Sequence, residues 1–402
     1  MGNTAISPFR GAAASSVVPQ SRSKLELQQG QLHGREQPPD LVAPSLAHLR
    51  HIVDSAGPKI SLQTFEVKAT IGKGNFGRVR MVRFKNSQDA TPFALKILLK
   101  MKIANEWGGS ISHAARAVLR ETSILQAVEN PFVVNVLKIF HTDKKVFILM
   151  EFVNGGEMLR LIHKSNGLNL ELIKFFGAEI VITMRHLHDR NVCYRDLKPE
   201  NVLLDCSGHI KLIDFGLAKV LDKAADYKTR TCCGTLCYQA PEVILNKEYS
   251  LPVDWWGVGA FIFEMLSGKP PFGNDTTFNI QQRILSTSIM WPKCKECPLA
   301  RSKQLISLIS QFLTQKSDKR LGCDRTRAGA LKIEKHPFFQ TVHFESIRKR
   351  AVKPPYRPQL SSAEDICMFP KYAESVEDNH PDLSRKDKQA WIHELSMPIS
   401  AP

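Results

Sequence analysis

The feature that most constrains this 402-residue chain is a change of hydrophobic rhythm at Gly155-Gly156. Upstream, apolar residues fall in strand-length runs over 65–70, 78–84, 92–98, 133–140 and 145–152. Such short runs rich in Val, Ile and Phe predict an antiparallel sheet. One helix-spaced segment, 114–128, interrupts them. Downstream the runs are helix-length: 170–188, 255–266 and 303–315. A β-rich half followed by an α-rich half predicts an α+β fold, with its hinge at 151–155. No internal repeat is present.

Both ends differ from this centre. Residues 1 to about 45 are rich in Ala, Ser, Gln, Gly and Pro and lack periodicity, which predicts disorder. Leu49, Ile52 and Val53 have the spacing of one short helix, so 1–60 reads as an extension. The segment 340–402 is Pro-rich and predicts a tail that wraps a surface.

The formal charge of +16 favours an anionic partner. Its Lys and Arg residues are scattered, however, and no basic block with interleaved aromatics argues for nucleic acid. Nine cysteines without a regular framework fit a reducing, cytoplasmic setting. Cys294 and Cys297 lack the second ligand pair a zinc site needs. No apolar run reaches the roughly 20 residues of a transmembrane helix. The start, Met1-Gly2-Asn3-Thr4-Ala5-Ile6-Ser7, has the Gly2 that N-myristoylation requires, but Ile6 stands where Ser or Thr is usual. A membrane-associating acyl chain and an unmodified tail both remain open.

Five motifs follow one another. Ile71-Gly72-Lys73-Gly74-Asn75-Phe76-Gly77-Arg78-Val79 leads into a strand-like run, not a helix. That context favours a hairpin over a nucleotide and disfavours a dinucleotide fold. Ala94-Leu95-Lys96 places an ammonium in an apolar strand. It needs anionic partners there, such as phosphates and Glu121 of the next helix. Then come Tyr194-Arg195-Asp196-Leu197-Lys198-Pro199-Glu200-Asn201, Asp214-Phe215-Gly216 and Ala240-Pro241-Glu242. Asp196 suits a general base, and Lys198 suits charge neutralisation on a transferring phosphoryl group. Asn201 and Asp214 offer the hard oxygens Mg²⁺ prefers.

With these motifs, the region 65–339 resembles the eukaryotic protein-kinase domain. More narrowly it resembles the AGC group, near the cyclic-AMP-dependent kinase catalytic subunit. Tyr194, Val253-Asp254-Trp255-Trp256-Gly257, Gly268-Lys269-Pro270-Pro271-Phe272, His336-Pro337-Phe338-Phe339 and Met368-Phe369-Pro370-Lys371-Tyr372 carry that likeness. The resemblance implies a bilobal fold, N-lobe 65–150 and C-lobe 155–339, and ATP-dependent serine/threonine phosphorylation. ATP would be held by Ile71, Gly72, Gly74, Phe76, Gly77, Val79, Ala94, Lys96, Glu121, Met150, Glu151, Val153, Glu157, Glu200, Asn201, Asp214 and Phe369. Met150 would be the gatekeeper. Leu125, Val136, Tyr194 and Phe215 would stack as a spine, Glu242 would pair with Arg320, and Asp254 would anchor the catalytic loop. Thr231 would carry the activation phosphate, added by an upstream kinase or by the enzyme itself, beside Arg195 and Lys219. Glu157, Glu200 and Glu264 would hold arginines upstream of the substrate hydroxyl. Leu236 and Gln239 would line the pocket for the residue after it.

The chain departs from the pattern at Gly234-Thr235-Leu236-Cys237-Tyr238-Gln239 and at Cys232. The stretch 96–121 is longer than usual. The terminal aromatic motif is replaced at best by Trp391 and Leu395, leaving open what holds the Glu121 helix. The two thiols beside Thr231, Cys232 and Cys233, suggest an oxidation-sensitive loop. Control by a cyclic-AMP-binding inhibitory subunit, or by lipid or phosphorylation without one, are the alternatives. A nucleotide-binding scaffold without turnover is the third, opposed by the complete catalytic set.

Overall fold

The computed structural model describes residues 41–293, 302–324, 327–374 and 383–396. The Gly2 motif, Cys294 and Cys297 lie outside them. Among the described residues, no helix is long and apolar enough to cross a membrane, and no cluster of three His, Cys, Asp or Glu residues suits a metal ion.

Helix α1 (Leu46–Ser55) starts at Ser45, whose hydroxyl accepts from His48 N. This cap satisfies one of the unpaired first-turn donors. Leu49, Ile52 and Val53 are buried against the sheet, as their spacing predicts. The sheet has five antiparallel strands in the order β1-β2-β3-β5-β4. They are β1 (Phe65–Gly74), β2 (Gly77–Phe84), β3 (Phe93–Leu99), β4 (Val136–His141) and β5 (Lys145–Glu151). Between β3 and β4 lie α2 (Lys100–Glu106) and α3 (Ile111–Ala127). The long stretch 96–121 thus adds a helix that its polar sequence did not announce. Strand β4 starts at Val136, not at 133. Val133 and Val134 instead bond to Leu212 in the other half, so one apolar run serves two cores.

The second half is helical, as expected. It begins with α4 (Met158–Ser165) and α5 (Leu170–His188). Asn169 caps α5, Glu171 lies in its first turn, and Arg185, His186 and His188 lie in its last. The Glu171 and Arg185 charges complement the helix dipole. The α5 interior includes Ile173, Phe176, Ile180 and Met184, all fully buried. Each such side chain stabilises the fold by about 1.5–3 kcal/mol. Two short ribbons follow: β6 (Val192–Cys193) with β9 (Lys219–Val220), and β7 (Val202–Leu204) with β8 (Ile210–Leu212). Next come α6 (Pro241–Ile244), α7 (Pro252–Ser267), α8 (Thr277–Ser286), α9 (Lys303–Phe312), α10 (Arg327–Glu334) and α11 (Phe344–Arg348). Pro252 opens α7 and Gly268, at φ 76°, closes it.

The tail wraps the surface as predicted as far as Glu374. Arg350 pairs with Asp205 in the helical half, while Glu364 pairs with Arg83 and Glu374 with Arg80 of the sheet. It is not irregular throughout. Helix α12 (Arg385–Ser396) lies against α3.

Candidate active site

The cleft opens under the β1–β2 hairpin, where Gly74 pairs with Gly77. A Cβ on Gly77 would meet Ile97 O at 1.8 Å, so sheet packing alone demands that glycine. A Cβ on Gly74 would meet nothing within 4 Å. Nothing among the described residues excludes a side chain at Gly74, so the position leaves room for close approach of a ligand. Behind the hairpin, Ile71, Met81 and Ala94 form a small apolar cluster with Val79, Met150, Phe152 and Phe369. The Phe369 ring stacks 6.0 Å from that of Phe152. Phe76 does not join this slot. Its carbonyl accepts from Leu99 N and its ring packs against the apolar cluster that contains Leu98, Ile103 and Trp391. Glu151 turns its carboxylate away, accepting from Asn135 and Lys211, so only its backbone is left to a ligand. Val153 is buried in the helical core.

Lys96 Nζ lies 2.6 Å from Glu121 and 3.9 Å from Asp214. Burial opposes its charge, but the two carboxylates outweigh it and hold Lys96 above its ordinary range. Below the sheet, the loop after β6 is held from inside. Asp254, 2% exposed, accepts from Tyr194 N, Arg195 N and His188 Nε2 at 2.8–2.9 Å. Arg195 and Asp214 adopt φ of 70° and 58°. Such left-handed backbone in non-glycine residues persists only where surroundings over-determine it. Tyr194 and Phe215, both fully buried, meet edge to face at 5.1 Å, with Leu125 and Val136 in the same core. Arg320 makes two bonds to Glu242, 2.7 and 3.0 Å.

Asp196 is aimed by its neighbours. Asn201 Nδ2 and Lys198 Nζ each lie 2.9 Å from Oδ2, and Thr235 donates its N–H and hydroxyl to Oδ1. Lys198 also donates to Thr235, at 2.8 Å. A hydroxyl brought to Asp196 would find an acceptor and an ammonium together. Asn201 spends its amide nitrogen on Asp196, which leaves Oδ1 as a ligand. Asp214, half exposed, turns Oδ1 toward Lys96 and the N–H of Gly216, which leaves Oδ2 as a second ligand. Two hard oxygens form an incomplete cage, which fits Mg²⁺, an ion that keeps waters and phosphate oxygens in its shell.

Glu157, Glu200 and Glu264 form one acidic patch. Burial, then the charge of Glu200, pushes Glu157 upward. Burial pushes Glu264 up to about 7, against a 2.5 Å bond from Tyr238 Oη and with help from Glu200. Glu200 Oε2 is buried without a hydrogen-bond partner. An unpaired buried carboxylate oxygen is costly, so this patch is built for a donor from outside.

Residues 65–339 match the protein kinase domain model. The chain belongs to the protein kinase family. The kinase is similar to the cAMP-dependent protein kinase catalytic subunit PRKX of Mus musculus, 40% identical over 336 residues, 82% of this chain and 88% of the relative. The human PRKX is 37% identical over 361 residues, covering 89% and 94%. A RAC family serine/threonine-protein kinase homolog of Dictyostelium discoideum is 36% identical over 311 residues, covering 77% and 66%. This is an AGC-like serine/threonine protein kinase, and membership implies ATP and a divalent metal.

The kinase gathers cations at Thr231. Lys219 Nζ donates to Thr229 Oγ1 at 3.0 Å, and Thr229 lies 3.4 Å from Thr231 Oγ1. Arg195 bonds Leu217 O and the Tyr249 hydroxyl, which itself donates to Thr231 O. Sequence reasoning missed Arg120 of α3, whose Nε is buried without a partner. Burial, then Arg195, lowers its pKa, and burial, then Arg195 and Arg120, lowers that of Lys219. Three mutually repelling cations beside an exposed threonine suit a phosphate. The signal was available, since Arg120 directly precedes Glu121. The redox expectation is weakened at Cys233, because burial pushes that thiol up despite Arg195.

Helix α12 answers what holds the Glu121 helix. Trp391 is fully buried, with Lys100 Nζ 5.2 Å over its ring. Glu394 bonds Ser112 and Arg116 of α3, and Lys388 bonds Asp143 at 2.8 Å. Leu395 packs against the same apolar cluster.

Proposed function

We propose that this kinase moves the γ-phosphate of ATP, with Mg²⁺, onto Ser or Thr hydroxyls that follow arginines in protein substrates. Asp196 accepts the hydroxyl proton and orients the oxygen for attack. Lys198 stands where charge builds on the transferring group. Lys96, aligned by Glu121, holds phosphate oxygens, and the apolar slot between Ala94 and Phe369 holds the base. Asn201 and Asp214 hold the metal, which when bound supplies charge neutralisation on the phosphates. Phosphorylation of Thr231 by an activating kinase ties α3 to the catalytic loop through Arg120, Arg195 and Lys219. The names of the PRKX relatives support a cyclic-AMP-binding inhibitory subunit as partner, and cyclic AMP should release it. Gly2 supports a cytoplasmic enzyme held reversibly on membranes by one acyl chain.

The observation that carries the substrate assignment is the unpartnered buried oxygen of Glu200 between Glu157 and Glu264. The test compares kcat/KM on Arg-Arg-Ala-Ser and Glu-Glu-Ala-Ser peptides. Repulsion of like charge should favour the first by at least about 100-fold. Equal rates would remove the arginine assignment.

A further inference from the structure

Resting on that arginine reading, we propose that Gln239 selects a hydrogen-bond donor side chain in the residue immediately after the phosphorylated Ser or Thr. The amide of Gln239 has a determined orientation. Its Nε2 donates to Cys233 O at 3.0 Å and to Gly234 O at 2.9 Å. Two carbonyls accept only from the nitrogen, so Oε1 must point the other way. The residue is half-buried, and Oε1 is neither bonded nor among the buried, unpartnered oxygens. It is an open acceptor.

Its place follows from the same bonds. Gly234 leads into Thr235, whose N–H and hydroxyl bind Asp196. Gln239 is therefore folded onto the segment that flanks the base. An extended substrate advances only about 3.3 Å per residue, so a neighbour of the phosphoacceptor falls in this region. The side is set by charge. Tyr238 bonds Glu264, and Cys237 lies in the field of Glu264 and Glu200. The Gln239 amide instead bonds back to Cys233 and Gly234. With arginines upstream on the carboxylates, the residue facing Gln239 is the one downstream.

Apolar cover on this loop is thin, since Leu236 is half-buried and Cys232 is small and exposed. A large apolar side chain there would strip water from Oε1 and give nothing back. A Gln or Asn side chain would donate to it. Sites that pair a polar group reject partners lacking the donor more strongly than apolar pockets reject a change of size.

The experiment is kcat/KM for Arg-Arg-Ala-Ser-z peptides with z as Gln, Asn, Leu or Phe, with Glu-Glu-Ala-Ser-z as the charge control. The unaltered kinase should favour Gln and Asn over Leu and Phe by about 3–10-fold, the range of one neutral hydrogen bond. Gln239→Leu should reverse that order. Because the unaltered enzyme already reads the preference, a poorly folded variant does not blunt the test. A preference for Leu or Phe, or equal rates for all four, would overturn the role of Gln239 and leave the arginine assignment standing. Loss of discrimination between Arg and Glu peptides would instead strike the arginine assignment, while the ratio of Gln to Leu still reads Gln239.

Discussion

Glu264 illustrates how one buried carboxyl can tune a substrate groove. Burial makes the charged form expensive, and nearby Glu200 adds to that cost, so its pKa rises to about 7. A raised acid is neutral below its folded pKa. Arginine binding should therefore weaken as pH falls from 8 to 6. KM for an Arg-Arg-Ala-Ser peptide should rise about 5–10-fold over that interval, following loss of one ionised partner. Glu264→Gln should raise KM at pH 8 and flatten the profile. A profile unchanged by that substitution would place the titration elsewhere. The same burial favours folding with Glu264 protonated, so its contribution to stability is present below about pH 4.5 and lost as pH passes 7.

Among the elements, α12 matters most for control. It docks Trp391 and Glu394 on α3, the helix that carries Glu121 to Lys96. Trp391→Ala should destabilise the fold by about 3–5 kcal/mol, as expected for a buried aromatic. It should also lower kcat/KM by about 10–100-fold if Glu121 drifts by an ångström. Thermal unfolding and peptide kinetics separate the two effects. A lower Tm with unchanged kcat/KM would make α12 a brace without influence on Lys96. This helix was poorly legible in the sequence, because its contacts are mostly charged and only Trp391 anchors it deeply. By contrast α5 was legible to the residue, since its length, its composition and the Asn169 cap agree. Strand β4 was misplaced at its start because Val133 and Val134 serve the other half, and hydrophobicity does not say which partner a residue meets.

At the scale of the whole molecule, a chain of net charge +16 hides its functional negative charge in one groove. On the proposed reading, basic substrates are then selected locally, against the sign of the total. The tail spans both halves through Arg350–Asp205 and Glu364–Arg83, and brings Phe369 to the cleft. The centre of the site was readable because Lys96, Asp196, Asn201 and Asp214 sit in contiguous motifs. Arg120, the inward turn of Phe76 and the orientation of Gln239 were not, since each depends on which distant backbone the side chain meets. All of this converges on one carboxylate held by Asn201, Lys198 and Thr235. The most direct measurement is transfer of labelled γ-phosphate from ATP to an Arg-Arg-Ala-Ser peptide by the unaltered kinase and by Asp196→Asn. The variant should keep nucleotide binding and lose at least about 100-fold in rate, the scale of a lost general base. Equal transfer by both proteins would contradict the assignment of Asp196 and the mechanism built on it.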